Sequence, residues 1–164
     1  MANAEILNLK PQCVWAHFYE LTQIPRPTGH MKEVTQFIAD FGKSLDLETE
    51  QDKVGNVLIR KPAAKGFELK QTVILQSHLD MVPQKNSDIK HDFTKDPIET
   101  YVDVDKVKAR STTLGADNGI GVAMMMAVLE DNTLNHPALE ALFTVDEEVG
   151  MNGAFGLQKG VLKG

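Results

Sequence analysis

Three places along the 164-residue chain carry side chains able to bind a metal ion or move a proton. The first is Ser77-His78-Leu79-Asp80. Side chains two apart in an extended segment project to the same side, so His78 and Asp80 can face one site. An imidazole is a good ligand for first-row metals, and a carboxylate beside it can orient a ligand or a reacting group. The second is Gly115-Ala116-Asp117-Asn118-Gly119-Ile120-Gly121. Its glycines let the backbone approach closely and flank one carboxylate, whose two oxygens can bridge two metals. The third is Asp146-Glu147-Glu148, with Gly150 after it. Adjacent carboxylates repel unless a cation or solvent compensates, and one can bind metal while its neighbour serves as a general base.

Each pattern also has a plainer reading. The first is a strand end with a solvated Asp. The second is a helix N-cap, with Asn118 free to cap while Asp117 does chemistry. The third is an exposed acidic loop. What favours chemistry is their sum: three separate loops with ligand-type residues, each after a strand or beside glycine.

Other candidates fall away. Gly42-Lys43-Ser44 imitates the end of a phosphate loop, but Phe37 stands where the motif needs glycine. Gly119-Ile120-Gly121 lacks the third glycine of a dinucleotide fingerprint, since Met124 stands there. Met124, Met125 and Met126 read as core packing. Cys13, beside Trp15 in an apolar helix, reads as buried rather than nucleophilic. His17, His30, His91 and His136 have no ligand-like neighbours at metal spacing.

The elements that must position these residues follow from apolar periodicity. Val14, Trp15, Phe18 and Leu21 predict a helix after Pro11, stopping before the loop Ile24-Pro25-Arg26-Pro27-Thr28-Gly29. Val34, Phe37, Ile38, Phe41 and Leu45 make the stripe of a second helix. Asn56–Arg60 and Thr72–Gln76 are apolar runs of strand length. Tyr101, Val102, Val104 and Val107 suggest a hairpin turning at Asp105-Lys106, and Gly115–Asn118 reads as loop. Gly119–Glu130 reads as a buried helix and Leu139–Thr144 as another strand, with a nascent helix after Gly153. Strands separated by helices predict an α/β layered domain: a sheet with helices on its faces, here an incomplete one. Open sheets of this kind place ligands outside the carboxyl ends of their strands, where all three motifs fall.

Composition excludes several classes. Hydrophobic residues are 42% and charged residues 24%, ordinary for a globular chain. A net charge of −6 argues against nucleic acid as a partner. No stretch approaches the ~18 apolar residues of a membrane span. A single cysteine and the lack of a leader pattern in the first twenty residues lead to the expectation of a cytoplasmic protein.

His78-Leu79-Asp80-Met81-Val82, Gly115-Ala116-Asp117-Asn118-Gly119 and Glu147-Glu148 resemble the N-terminal motifs of the di-zinc aminoacylase/carboxypeptidase-type peptidases. Longer stretches share the likeness, including Gln76–Lys85, His91–Pro97, Thr113–Gly121, Glu147–Met151 and Gly153–Leu157. It runs over essentially the whole chain and lies nearest the members that cleave Xaa-His dipeptides. The resemblance implies that His78 binds one zinc, Glu148 the other, and Asp117 bridges them. It implies Glu147 as general base and Asp80 behind His78 as its orienting partner. The implied reaction is hydrolysis of dipeptides by a two-metal-activated water. Manganese or cobalt would suit the same imidazole and carboxylate ligands.

Family members are longer. They add a metal carboxylate, a metal histidine, a C-terminal remainder and a lid domain that serves dimerisation, and the complete enzyme is expected to be a homodimer. After Glu148 the present sequence holds no Asp, Glu or His. Residues 1–164 thus read as a partial catalytic domain, the alternative being a non-catalytic remnant with at most weak metal or peptide binding. Each zinc finds two protein ligands here, where a catalytic zinc normally has three. Purified residues 1–164 supplied with zinc or manganese are therefore expected to turn over a Xaa-His dipeptide far below about 1–10³ s⁻¹. A rate inside that range would mean that ligands come from a partner chain or that the ligand count is wrong.

Overall fold

The last strand of the sheet, β6 (Leu139–Thr144), is buried at all six positions, as its apolar run demands. It runs between β2 (Val57–Lys61), antiparallel, and β3 (Val73–His78), parallel. A further strand, β1 (Glu48–Gln51), pairs antiparallel with β2, giving the order β1-β2-β6-β3. A separate hairpin joins β4 (Thr100–Asp103) to β5 (Lys106–Ala109). Three helices complete the frame: α1 (Gln12–Gln23), α2 (Lys32–Ser44) and α3 (Ala116–Glu130). A single turn, α4 (Asn152–Phe155), follows the acidic loop, and a 3-10 turn spans Ala4–Asn8. These elements come from a computed structural model that describes residues 4–164.

The predicted α/β layering is present. Alternate strand residues Val57, Ile59, Ala141 and Phe143 enter one core with Phe18, Leu21, Val34, Ile38, Val122, Met126 and Leu129 of the helices. The parallel pair β3 and β6 needs a crossover, and α3 supplies it. Lys61 anchors the far end of α3. Its buried ammonium donates to the carbonyls of Val128 at 3.1 Å, Leu129 at 2.9 Å and Asp131 at 2.6 Å. These are orphan acceptors at a helix C-terminus, where a cation is favoured.

Several local expectations change. β1 is wholly polar, Glu-Thr-Glu-Gln, and shows no apolar run because it is a mostly exposed edge strand. The hairpin turns at Val104-Asp105, one residue early, with Val104 at φ 58°. A β-branched residue is an unusual occupant of that region, so composition points elsewhere. Helical geometry begins at Ala116 and is interrupted at Asp117 and Asn118, joined by a cis peptide bond. The expected Asn118 cap is not made; α3 starts from Gly115 without a side-chain cap. Met125 and Met126 are buried, but Met124 is exposed, and so is Cys13.

The other sheet face holds a buried ion pair. Glu140 lies on β6 opposite Arg60 of β2, which donates through Nε at 3.3 Å. Glu140 also accepts the backbone N–H groups of Lys163 at 2.7 Å and Gly164 at 3.1 Å. Burial opposes its charge, but these donors prevail and hold its pKa below the ordinary carboxylate value. A depressed carboxyl contributes stability that is present above its unfolded-state pKa, about 4.3, and is lost as pH falls through the folded value. Glu140→Ala should lower the unfolding free energy at neutral pH by about 3 kcal/mol in urea titration. The gap between wild type and Glu140→Gln should narrow as pH drops below about 4.3. A gap that is flat with pH would show that the carboxylate charge is not what stabilises this face.

Candidate metal centre

Parallel pairing sets the site. His78, the last residue of β3, lies in register with Thr144, the last of β6. The loops leaving both strands therefore emerge together at the carboxyl end of the sheet. One carries Asp80; the other carries Asp146, Glu147 and Glu148. The start of α3 brings Asp117 to the same place.

His78 is gripped on both ring nitrogens. Its Nε2 lies 3.0 Å from Asp117 Oδ1 and 3.9 Å from Glu147 Oε2. Its Nδ1 lies 3.1 Å from the Asp80 carbonyl and 3.3 Å from Asp80 Oδ1. His78, Glu147 and Glu148 each offer a ligand atom, and these atoms lie within 4.8 Å of one another. One imidazole among carboxylates, its second nitrogen held from behind, is a donor set suited to a divalent cation. The fold thus brings together all five sequence-predicted residues.

The two aspartates differ sharply. The Asp117 side chain is 88% exposed and that of Asp80 is 0% exposed. Asp80 accepts the backbone N–H of Glu147 at 3.0 Å and of Glu148 at 3.2 Å. It also accepts the Thr28 hydroxyl at 2.9 Å. Burial resists ionisation of Asp80, but the His78 contact and these donors outweigh it and hold its pKa at about 2. Burial likewise opposes charge on His78, yet Asp80, Asp117 and Glu147 raise its pKa to about 9. Glu148 is pushed up, first by burial and then by the neighbouring carboxylates against the pull of His78.

A cavity of about 530 Å³ opens beside His78, Asp117 and Glu147 and runs along Gln76 and Leu142 to Met151 and Leu157. The loop after α1, which composition marked only as irregular, borders the centre too. Besides Thr28, Gly29 donates its N–H to Asp146 Oδ1 at 2.9 Å. Nothing in local spacing marks these residues. Their partners lie 52 and 117 positions away.

Peptidase family M20/M25/M40 matches residues 74–164. The cytosol non-specific dipeptidase of Escherichia coli (strain K12) is 53% identical over 155 residues, 94% of this chain and 32% of that protein. The crystal structure of aminoacylhistidine dipeptidase from Vibrio alginolyticus superposes with a TM-score of 0.96 at 48% identity. The match covers 99% of this chain and 33% of that one. A tripeptidase from Staphylococcus aureus shares the fold, with a TM-score of 0.75 at 24% identity over 92% of this chain and 40% of that one. The chain thus spans about a third of the length of its two nearer relatives here.

The Asp80 contacts yield a stability prediction. Asp80→Asn keeps the size but removes the charge that two backbone donors and Thr28 share. Hydrogen bonds to a charged group contribute about 1.5–3 kcal/mol, so the variant should lose about 2 kcal/mol in urea denaturation of the metal-free chain. A loss below about 0.5 kcal/mol, the scale of neutral surface changes, would contradict this view of the loop.

Proposed function

Because the chain belongs to peptidase family M20/M25/M40, we propose that the whole protein is a metal-dependent dipeptidase, acting on Xaa-His dipeptides among others. The observation that supports this most is the convergence of His78, Asp117, Glu147 and Glu148 at the carboxyl end of the β3–β6 pair. Residues 1–164 would form part of the catalytic domain, with the remaining ligands and a lid and dimerisation domain outside them. The names of the Escherichia coli and Vibrio alginolyticus relatives favour a dipeptide substrate, and the former favours a cytoplasmic protein.

In this reading His78 and Glu148 would each help to hold one of two divalent cations, zinc by preference, and Asp117 would serve as the ligand common to both. When bound, the cations supply Lewis acidity and positive charge against which a carbonyl and a water can be polarised. The chain's own residues do the rest. Glu147 stands 3.9 Å from the His78 ring, within reach of the same point, and takes the proton of the attacking water. It returns that proton to the leaving amine. Asp80 holds His78 through Nδ1 and leaves Nε2 aimed at the centre. Asp80 also takes the backbone N–H groups of Glu147 and Glu148, so their carboxylates need not turn inward to satisfy the loop.

The test is made in the full-length protein. Glu147→Gln keeps the shape and removes the base, so hydrolysis should fall ~10²–10⁴-fold with metal content unchanged. Asp117→Ala should instead lose metal, measured by elemental analysis after dialysis. Near-normal turnover in Glu147→Gln would assign the base elsewhere. Full metal content in Asp117→Ala would remove its bridging role.

A further inference from the structure

Arg26 is a buried cation in the loop after α1, and the site chemistry makes no direct use of it. Its guanidinium spans two loops. Nη1 donates to the Leu79 carbonyl at 2.8 Å, and Nη2 donates to the Gly115 carbonyl at 2.6 Å. Leu79 lies between His78 and Asp80, and Gly115 lies two residues before Asp117. The Arg26 backbone is fixed too, since its carbonyl accepts the Met81 N–H at 3.2 Å. Among the described residues Arg26 Nε has no acceptor, so the group is placed by its two carbonyl contacts and not by full pairing.

The glycines of the second motif make room for it. A Cβ on Gly115 would lie 2.6 Å from Arg26 Nη2, and one on Gly119 would lie 2.5 Å from the same atom. Gly115 also has φ 69°, which side chains rarely adopt. The backbone approaches an arginine here.

We propose that Arg26 is a positioning residue that sets the spacing between the His78–Asp80 loop and the Asp117 loop, and through it the His78–Asp117 separation of 3.0 Å. A planar fork with fixed donors can hold two carbonyls at a set distance, whereas an ammonium on a flexible stem is a point donor. The consequence for cation affinity rests on the function proposed above; the spacing itself does not.

Arg26→Lys in the metal-free chain is the test. The readouts are solvent exchange of the His78 Nε2 proton by NMR and amide exchange of Ala141 and Phe143, buried in the central strand. Exchange at His78 should accelerate about tenfold, the scale of one ordinary hydrogen bond, with the β6 amides unchanged. Zn²⁺ titration by calorimetry should show affinity weakened about 10–100-fold. Unchanged exchange at His78 would overturn the proposal. Loss of protection at His78 and β6 together would overturn it as well, by assigning Arg26 to the fold as a whole. If residues 1–164 bound Zn²⁺ too weakly to titrate, as two protein ligands per ion would allow, the His78 comparison alone would decide the role of Arg26, and failure of the full-length protein to bind Zn²⁺ would sink the metal reading.

Discussion

A carboxylate with no exposed surface organises this end of the molecule. Burying the charge of Asp80 is expensive unless donors and opposite charge surround it. They do: the Thr28 hydroxyl, the N–H groups of Glu147 and Glu148, the His78 ring, and the guanidinium of Arg26 nearby. Burial lowers the pKa of Arg26 to about 10 and Asp80 pulls it back up, so both groups stay charged at neutral pH. One small anion thereby ties together a strand end, an acidic loop and the loop after the first helix.

Because Asp80 binds the acidic loop through backbone, it spends none of that loop's carboxylates. His78 then stands between two unlike aspartates. The one on Nδ1 is fixed and dry; the one on Nε2 is wet and belongs to a different element. The arrangement separates a fixed charge from an accessible one. Charge that must not move is inside, and charge that can meet a ligand lies at the rim of a cavity.

Much of this was legible in the sequence, and the reasons differ by element. β6 announced itself because all six positions are buried, and the α2 stripe because one helix face is. Two of the motifs lie at strand ends because β3 and β6, with a helix between them, run parallel and leave their loops on one side, while Asp117 comes from the start of α3. β1 was illegible because an edge strand buries little and so carries no apolar signal. Asn118 looked like a cap by type, yet its non-helical backbone takes it out of that role. Cys13 sits in an apolar helix but on the exposed side of it. Thr28 and Arg26 were unreadable for a different reason: their partners are distant in the chain, and a hydrogen bond across 52 residues leaves no periodicity behind.

The place of β3 in the sheet has a consequence for handling the chain. It is the outermost strand on its side, paired only through β6 among the described residues, and Val73 at its start is 43% exposed. Its outer row of N–H and C=O groups is a ready template for another strand. Neither lysine nor proline interrupts Val73-Ile74-Leu75-Gln76-Ser77-His78, so the usual guards against edge-to-edge growth are missing. In the 164-residue chain this border stands open to pairing by a further strand, whichever chain supplies it.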